Sequence, residues 1–578
     1  MKTVNVRRIS QVFFLCLFTW FCIVSTLGES FSRIAGWPVN WFLQLDPLTA
    51  VATALTTHTI YWPLLWGVLL LVLTVILGRF FCGWICPFGT IHHFIGWLGK
   101  RGKSINQKVE LNRFRRLQMI KYYILAVFLI LAFFPLKSGS LQTGLLDPIA
   151  LVTRSFNLAL LPVVDRSVDI ISGSPLFYEG AVWIFAVFFT AILLNLFIPR
   201  FYCRFICPLG ALLAITSRFA VWRIGKNKKE CLQCEVCEKN CEGGCEPSGR
   251  IKISECVLCF NCLDDCRHNT ISYSLKRSAA GEITNPAVSR RGFAWSLGGA
   301  LLGLGALRLS GTTGNNWFYR TVRPPGSLPE NEFLKRCIKC GQCMRVCPTN
   351  VLQPAGLQSG LEGLGTPVLN NRIGTSGCQQ NCVACGQTCP TAAIRPISVE
   401  EKMGVGEYKD QGPIKLGTAF IDKGRCLPWA MATACLVCEE NCPVSPKAIY
   451  TRASYITVRN GNLRVKGKEQ GTLNLQDSQL QPHSYSSGDY YIKTPGGKRY
   501  EVVDNTEDTV TLNGKEQLGS ISADSTVQLQ LRLDKPYIDP EKCIGCGVCE
   551  HVCPVSGRRA IRVSAEGESR SRERQLTP

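Results

Sequence analysis

Six groups of four cysteines constrain this chain more than any other feature of its sequence. The 578 residues include 31 cysteines but only six histidines, and no C-x2-C-H haem signature. Most of the cysteines follow the spacing C-x2-C-x2-C-x3-C, in which thiolates hold [4Fe-4S] clusters. Zinc sites would more often include histidine or two separated C-x2-C pairs. The sequence therefore predicts six [4Fe-4S] clusters and no haem.

Two of these cysteine runs precede residue 288 and four follow it. The first pair comprises Cys231, Cys234, Cys237 and Cys241, then Cys256, Cys259, Cys262 and Cys266. The later four runs are Cys337, Cys340, Cys343 and Cys347; Cys378, Cys382, Cys385 and Cys389; Cys426, Cys435, Cys438 and Cys442; and Cys543, Cys546, Cys549 and Cys553. Because the fourth cysteine of such a run reaches the neighbouring cluster, we expect the runs to work in pairs. Cys245 is an alternative fourth ligand for the first run.

Long apolar segments predict a membrane protein. Apolar residues make up 46% of the chain and charged residues only 18%. Four apolar stretches lie at about 11–28, 60–81, 117–136 and 176–199, each close to the ~20 residues that a helix needs to cross a bilayer. The segment 100–121 has eight Lys/Arg and one acid, and 218–229 has five Lys/Arg and none. The positive-inside rule then places the N-terminus and the first cysteine pair in the cytoplasm, beneath an inner membrane.

A fifth apolar segment begins at 288, past the middle of the chain. Ser289-Arg290-Arg291-Gly292-Phe293 matches the start of a twin-arginine signal, the export address of folded proteins. The alternative is a plain fifth helix whose two arginines remain inside. In both interpretations the four later cysteine runs lie outside the cell membrane, in the periplasm. Because the basic residues cluster in loops between apolar segments, we expect membrane lipid and the quinone pool as partners and no nucleic acid.

The membrane part is an internal repeat. QLDPLTA (44–50) and GRFFCGWICPFG (78–89) recur as LLDPIAL (145–151) and PRFYCRFICPLG (199–210). The repeat would let Cys82, Cys86, Cys203 and Cys207 face each other and form a further redox centre. The alternative is that these cysteines are small buried residues ahead of a helix-ending proline.

Three residues in the outer half of the membrane part are candidates for proton transfer. Asp46 and Asp147 lie in Asp-Pro turns, where they could accept protons from a quinol. The alternative is that each aspartate caps a helix with proline at its first position. His58, near the outer end of the second apolar segment, is a further candidate acceptor.

These features predict a membrane α-helical bundle of four helices plus a fifth anchor, with α+β bacterial-ferredoxin-like domains on both sides. We expect a four-helix membrane domain at 1–217, a cytoplasmic two-cluster domain at 218–287, the anchor at 288–310, a periplasmic four-cluster domain at 311–565 and a disordered tail at 566–578. Residues 455–535 lack cysteine and alternate apolar with polar residues between turn residues, which predicts a small β insert in the outer domain.

In these motifs the chain resembles two families joined end to end. Residues 1–275 are similar to NapH-type membrane polyferredoxins, and 288–565 to NapG/MauM-type exported ferredoxins. The resemblance implies a quinol dehydrogenase of the kind associated with periplasmic nitrate reductase, which passes electrons from a quinol such as menaquinol through the clusters to a periplasmic cytochrome or reductase. The insert is foreign to that pattern. The alternative function is an outward-directed reductase that serves maturation of a periplasmic metalloenzyme or cofactor.

Overall fold

The computed structural model describes the chain except for residues 1–2, 26–37, 134–140, 169–175, 228–230, 233, 285, 287, 313–320, 514–520, 572–574 and 577–578. The chain divides into two compact units. The first comprises Met1–Leu416 and Ala565–Pro578, and the second comprises Gly417–Ser564. Each unit is described by itself.

The N-terminal part of the first unit is helical. Its helices are α1 (Thr3–Val24), α2 (Trp41–Gln44), α3 (Pro47–Thr57), α4 (Leu65–Leu77), α5 (Phe80–Trp84), α6 (Pro87–Gly99), α7 (Ile105–Asn112), α8 (Ile120–Phe133), α9 (Pro148–Ser155), α10 (Leu161–Val168), α11 (Ala181–Phe197), α12 (Phe201–Phe205) and α13 (Pro208–Ser217). Three helical segments are long and apolar enough to cross a membrane: Thr3–Val24, Ile105–Phe133 and Pro148–Arg166. Shorter apolar helices lie at Trp62–Leu77, Ala181–Phe197 and Pro208–Ser217.

The connections before the second and the fourth predicted apolar stretches contain buried helices, although we expected these connections to lie outside the bundle. These are α3, and α9 with α10, which are joined by a π-helical turn at Phe156–Leu160. The sequence signal is weak because Arg154 and Asn157 interrupt the apolar residues. Both side chains find protein partners: Arg154 donates to the carbonyl oxygens of Gly144 (3.2 Å) and Lys339 (3.1 Å), and Asn157 donates to the side chain of Gln342 (2.8 Å). A polar residue paired in this way can lie inside a helix bundle.

The repeat is visible as four helices that begin with proline and carry a side-chain cap. The caps of α3, α6, α9 and α13 are Asp46, Cys86, Asp147 and Cys207. Proline suits this first position because its missing N–H would have no helical partner there. Helix α3 of one repeat packs against α13 of the other, and α9 packs against α6. The two repeats therefore interlock.

The ferredoxin segments of the first unit contact opposite ends of α1. Arg7, near its start, pairs with Glu242 (2.9 Å), and Ser25, just after its end, accepts a hydrogen bond from Gln342. The segment beside Arg7 contains β1 (Arg223–Lys226), β2 (Ile251–Lys252), α14 (Asn261–Asp265), β3 (Ile271–Ser274) and β4 (Glu282–Ile283). The segment beside Ser25 contains α16 (Glu330–Arg336), α17 (Gln342–Arg345), β5 (Leu352–Pro354), α18 (Gly360–Gly363), β6 (Pro367–Leu369), α19 (Ala384–Gln387) and α20 (Val399–Met403). We call them the inner and outer ferredoxin segments.

A single helix links the two ferredoxin segments along the chain. It is α15 (Arg290–Thr312), which contains the paired arginines and packs along α8. The backbone N–H of Ser289 donates to the hydroxyl of Tyr123 (3.2 Å). A Cβ atom at Gly292 would clash with the Tyr123 ring, so that the close approach of the two helices depends on this glycine.

The second unit combines a cysteine-containing ferredoxin part with a β-barrel. The ferredoxin part contains β7 (Thr418–Ile421) paired antiparallel with β14 (Ile561–Ser564), and the helices α21 (Leu427–Ala430), α22 (Val437–Glu440) and α23 (Val548–Val552). The barrel strands are β8 (Ile449–Glu469), β9 (Thr472–Gln476), β10 (Tyr490–Lys493), β11 (Arg499–Asn505), β12 (Thr509–Leu512) and β13 (Thr526–Ile538). They close in the order β10-β11-β12-β9-β8-β13 around a core that includes Leu473, Ile492 and Leu529. The barrel corresponds to the expected insert at 455–535 and extends beyond it at both ends.

The start of the tail that we expected to be disordered is packed in the structure. Residue Arg570 pairs with Glu330 (2.9 Å) and Glu568 (2.7 Å). Burial alone would raise the pKa of Glu330, but Arg323 and Arg570 lower it to about 2. Residues 572–574 and 577–578 of the expected tail lie outside the described residues.

Candidate iron–sulfur sites

Two groups of four cysteines in the outer ferredoxin segment each surround a small cavity. Cys337, Cys340 and Cys343 line one cavity together with Cys389, the last cysteine of the following run. The other cavity is lined by Cys347, Cys378, Cys382 and Cys385. The two runs thus exchange their fourth cysteines, as expected for a two-cluster ferredoxin. Four thiols around a mainly apolar cavity fit a [4Fe-4S] cluster.

The ferredoxin part of the second unit shows the same exchange. Cys426, Cys435 and Cys438 line a cavity with Cys553, the last cysteine of the other run. The eight-residue gap after Cys426, which made this run irregular in the sequence, contains helix α21. Cys543, Cys546 and Cys549 are buried, and Cys442 packs in the same core.

In the inner ferredoxin segment, one cysteine of the first run lies with the second run. Cys241 interacts electrostatically with Cys256, Cys259 and Cys262. The alternative ligand Cys245 has its Sγ 3.4 Å from that of Cys241. A hydrogen bond from Cys245 lowers the pKa of Cys241 to about 7, which favours the thiolate that binds iron. Cys245 also interacts with Cys256, so both Cys241 and Cys245 lie beside the second run.

Cys237 of the first run interacts electrostatically with Cys241 as well as with Cys266 and Cys234. Within the described residues no two cysteines form a disulfide, and no three His, Cys, Asp or Glu side chains converge tightly enough to hold a single metal ion. Wider groups of four thiols fit a multi-iron cluster better than they fit zinc.

The four cysteines of the membrane repeat come together. Cys82, Cys86, Cys203 and Cys207 interact electrostatically with one another. Cys86 and Cys207 cap α6 and α13, because their sulfur atoms accept from the N–H groups of Gly89 (3.4 Å) and Gly210 (3.1 Å). The prolines after them begin helices rather than end them, contrary to the structural alternative that we considered. Two buried thiols, Cys86 and Cys207, and two half-buried ones, Cys82 and Cys203, thus lie at one place and could hold a cluster.

Two buried arginines lie between these four cysteines and the inner ferredoxin segment. Arg79 interacts with Cys82 and Cys207, and its Nη1 donates to the carbonyl oxygen of Ser254 (2.7 Å). Arg200 interacts with Cys203 on one side and with Cys259 on the other. Their positive charges would balance the negative charge of a thiolate cluster.

The inner segment also approaches the repeat through its backbone. A Cβ atom at Gly83, between Cys82 and Cys86 in the sequence, would clash with the carbonyl oxygen of Val257 in the second cysteine run. Only glycine permits this approach. The four membrane cysteines are therefore adjacent to the inner cysteine runs.

Toward the outer ferredoxin segment, the connection runs through Tyr202 and Arg154. Tyr202 interacts electrostatically with Cys207, Cys203 and Arg154. Arg154 interacts with Cys340 and donates to the carbonyl oxygen of Lys339. The four-cysteine group thus lies between the inner and the outer cysteine runs. The sequence alone left open what could bridge them.

The structure places the three candidate proton acceptors differently. Asp46 and Asp147 are buried and their carboxyl groups interact with each other. Asp46 accepts from the N–H of Leu48 (3.0 Å) and Asp147 from that of Ile149 (3.3 Å), as helix caps do. His58 ends α3 and is exposed.

Comparison with known proteins defines the class. Residues 59–106 and 180–227, which include the four membrane cysteines, match the model of a 4Fe-4S binding domain. Residues 331–390 match a 4Fe-4S dicluster domain, and 536–557 match another 4Fe-4S binding domain. No solved structure matches the chain. Together with the apolar helices, these matches define a membrane-associated, ferredoxin-type iron–sulfur electron-transfer protein.

Among relatives, the chain is 34% identical over 246 residues to the methylamine utilization ferredoxin-type protein MauM of Methylorubrum extorquens, which is 42% of this chain and 72% of MauM. The chain belongs to the family of this ferredoxin-type protein. It is 33% identical over 130 residues to the ferredoxin-type protein NapG of Escherichia coli (22% of this chain, 50% of NapG). It is 30% identical over 226 residues to the regulatory protein NosR of Stutzerimonas stutzeri, where the match covers 39% of this chain and 26% of NosR.

Proposed function

We propose that this chain oxidises a membrane quinol and conducts the electrons through its iron–sulfur sites to a redox partner in the periplasm. The observation that carries the proposal is the position of Cys82, Cys86, Cys203 and Cys207 between the inner and outer cysteine runs. A cluster held by such thiols takes up and releases single electrons. The proposal includes the expected fusion of NapH-type and NapG/MauM-type proteins.

The protein's own residues support electron transfer by fixing the three sets of cysteines against one another. Arg79 and Arg200 hold the inner segment to the repeat, and Arg154 holds the outer segment. These contacts are made to backbone carbonyl oxygens or buried groups, so they keep the spacing rigid. Rigid spacing favours electron transfer because no rearrangement is needed before each step.

The proposed orientation rests on charge. The basic segment 100–121 and the inner ferredoxin segment lie at the same end of the bundle, where the side chain of Lys121 pairs with Glu255. The positive-inside rule makes this end cytoplasmic. The outer segment contacts the other end, where Thr56 donates to the carbonyl oxygen of Lys335 (2.8 Å). We therefore propose a periplasmic location for the outer segment and for the second unit, in the inner membrane of a bacterial cell.

Protons released by the quinol need acceptors. We propose that His58, the exposed candidate, accepts protons at the protein surface. Asp46 and Asp147 would relay protons inside the protein, because they interact with each other and Asp147 interacts with Tyr202, which lies beside the membrane cysteines. The relay would take protons from the same region that takes the electrons. A His58→Gln variant should then slow quinol oxidation and leave the iron content unchanged.

The second unit offers a surface for the partner. Trp429 lies in α21, the helix that follows Cys426. Met431 and Leu436, which come after this helix in the sequence, are 56% and 36% exposed. Lys423 and Lys535 lie over the Trp429 ring at 4.5 and 4.8 Å. An apolar centre with cations around it suits a transient complex with an acidic redox protein. We propose this surface as the contact for a periplasmic cytochrome or reductase.

The test uses the full-length protein with its clusters, in detergent and without oxygen. A reduced menaquinone analogue is added, and cluster reduction is followed by absorbance and electron paramagnetic resonance. Prompt reduction is expected in the wild type. The Cys203→Ser variant should reduce its outer clusters more slowly while keeping a folded outer segment, and Cys16→Ser, at an exposed position of α1, serves as the matched control.

Two results would contradict the proposal. Unchanged kinetics in Cys203→Ser would remove the four-cysteine group from the electron path. A wild-type protein that is reduced by dithionite but not by the quinol would favour the outward-directed reductase, supplied by another donor.

A further inference from the structure

A polar cavity of about 490 Å³ lies between the start of α1, the end of α6 and the inner ferredoxin segment. Its walls combine backbone, aromatic and basic groups. Five basic side chains with permanent charge line it: Arg8, Lys100, Arg101, Lys108 and Arg200. None of the roles assigned above uses this space.

The acidic residues around the cavity do not balance these cations. Glu242 is already shared by Arg7 (2.9 Å), Arg200 (2.6 Å) and His93 (2.8 Å). Asp265 pairs with Lys239 (2.9 Å). Asp264 is the third carboxylate of the lining. The cavity therefore keeps an excess of positive charge.

Four of the five cations, Arg8, Lys100, Arg101 and Lys108, make no ion pair among the described residues. Lys100 is half-buried in the lining of the cavity. The fifth cation, Arg200, is 1% exposed. Its Nη2 has no hydrogen-bond acceptor in the part of the chain that the structure describes. A buried donor of this kind has room for an acceptor, either a cluster sulfur beside Cys203 and Cys259 or an anion in the cavity.

We propose that this cavity binds a phosphate group, carried by an anionic phospholipid headgroup or by a soluble phosphate compound. Guanidinium and ammonium groups are the side chains that recognise phosphate oxygens. Basic pockets on the cytoplasmic side of membrane helices are typical headgroup sites. Trp97, which lines the cavity and is 51% exposed, is the kind of residue found at the level of lipid headgroups.

The position of the site gives the ligand a structural role. The cavity is bounded by both the membrane helices and the inner ferredoxin segment, so a bound phosphate would join Arg8 of α1 to Lys100 and Arg101 after α6. Bound phosphate would thus hold the inner segment at the membrane surface. This proposal concerns binding alone and does not depend on quinol oxidation.

Isothermal titration calorimetry on the delipidated full-length protein tests the proposal. The probes are dihexanoyl phosphatidylglycerol, dihexanoyl phosphatidylcholine and inorganic phosphate. We expect phosphatidylglycerol or phosphate to bind, and Lys100→Gln and Arg101→Gln each to weaken binding about fivefold, since one cation near a lipid surface contributes about 1 kcal/mol. Lys103→Gln, in the same loop but outside the lining, should stay within about twofold of the wild type.

The outcomes separate the sources of the phosphate. Binding of phosphatidylglycerol that inorganic phosphate does not displace identifies a lipid site, whereas binding and displacement by inorganic phosphate identify a soluble ligand. Equal affinity for phosphatidylcholine and phosphatidylglycerol would overturn the proposal. The proposal would also be overturned if Lys100→Gln and Arg101→Gln retained their iron and bound the probes as tightly as Lys103→Gln does. Tighter binding of a quinone analogue than of both phosphate probes would overturn it as well.

Discussion

Replacing Glu242 by glutamine should loosen the inner ferredoxin segment from the membrane helices. The carboxylate is 4% exposed and is held by Arg7, Arg200 and His93 at 2.6–2.9 Å. Arg7 and Arg200 are themselves 0% and 1% exposed, so the variant leaves two buried guanidinium groups without their counter-ion. Breaking a buried ion pair in this way costs about 3–5 kcal/mol.

The measurable effect is a lower unfolding temperature. For a unit of this size we expect the unfolding temperature to fall by about 1–2 °C for each kcal/mol of stability lost, a ratio extrapolated from smaller domains. The unfolding temperature of the variant should therefore be about 3–10 °C lower than that of the wild type. Tryptophan fluorescence during heating of the protein in detergent gives the value. Glu110→Gln is the matched control, because Glu110 is 71% exposed and lies 3.8 Å from Arg113. Its removal should cost less than about 1 kcal/mol.

The pH dependence follows from the same contacts. Burial alone would raise the pKa of Glu242, but Arg200, Arg7 and His93 together lower it well below its usual value. A carboxylate with a lowered pKa stabilises the fold at every pH above its unfolded value of about 4.3, and this stability is lost as the pH falls through the folded value. The difference between variant and wild type should therefore be present at neutral pH and shrink as the pH falls below about 4.3. Equal unfolding temperatures for Glu242→Gln and Glu110→Gln would refute the reasoning.

Three further outcomes test other parts of the structure. Gly144→Ala should destabilise the docking of the outer segment by about 1–3 kcal/mol, because the new Cβ would clash with the carbonyl oxygen of Ile338. The control is Gly249→Ala, where the new Cβ has open space, and Gly144→Ala should unfold at a lower temperature than this control. Cys389→Ser should alter the paramagnetic resonance of the cluster at Cys337–Cys343 and leave that at Cys378–Cys385 unchanged; the reverse would contradict the ligand exchange. Leu529→Ala, at a fully buried barrel position, should destabilise the second unit by about 2–5 kcal/mol, measured by its susceptibility to proteolysis, and equal loss at exposed Val503→Ala would argue against the barrel core.

The sequence predicted the groups of cysteines because each run is local. A [4Fe-4S] cluster binds three thiols from one tight loop, and this loop has the sequence pattern C-x2-C-x2-C. The partner that supplies the fourth thiol is a tertiary fact. Spacing alone could not show that Cys389 joins Cys337, or that Cys553 joins Cys426, although the trailing cysteine of each run made some exchange expected.

The apolar segments were predicted less completely than the cysteines. The apolar stretches of the sequence predicted α11, whereas α3 and α9 lie between the stretches that we predicted. Helix α3 is 11 residues long, and α9 contains Arg154, although the continuous segment Pro148–Arg166 is long and apolar enough to cross a membrane. Arg154 is tolerated because Gly144 and Lys339 supply acceptor oxygens, which no local pattern reveals.

The internal repeat explains how a four-thiol group can form inside a membrane domain. Each repeat supplies two cysteines and two capped helices that pack against the other repeat, so neither half can hold four cysteine ligands alone. The glycine that brings Val257 against the first motif, Gly83, has no counterpart in the second, where Arg204 occupies the equivalent place. Arg204 instead donates to the carbonyl oxygen of Arg113 (2.7 Å), beside the inner segment. The two motifs are therefore alike in their cysteines and different in their surroundings.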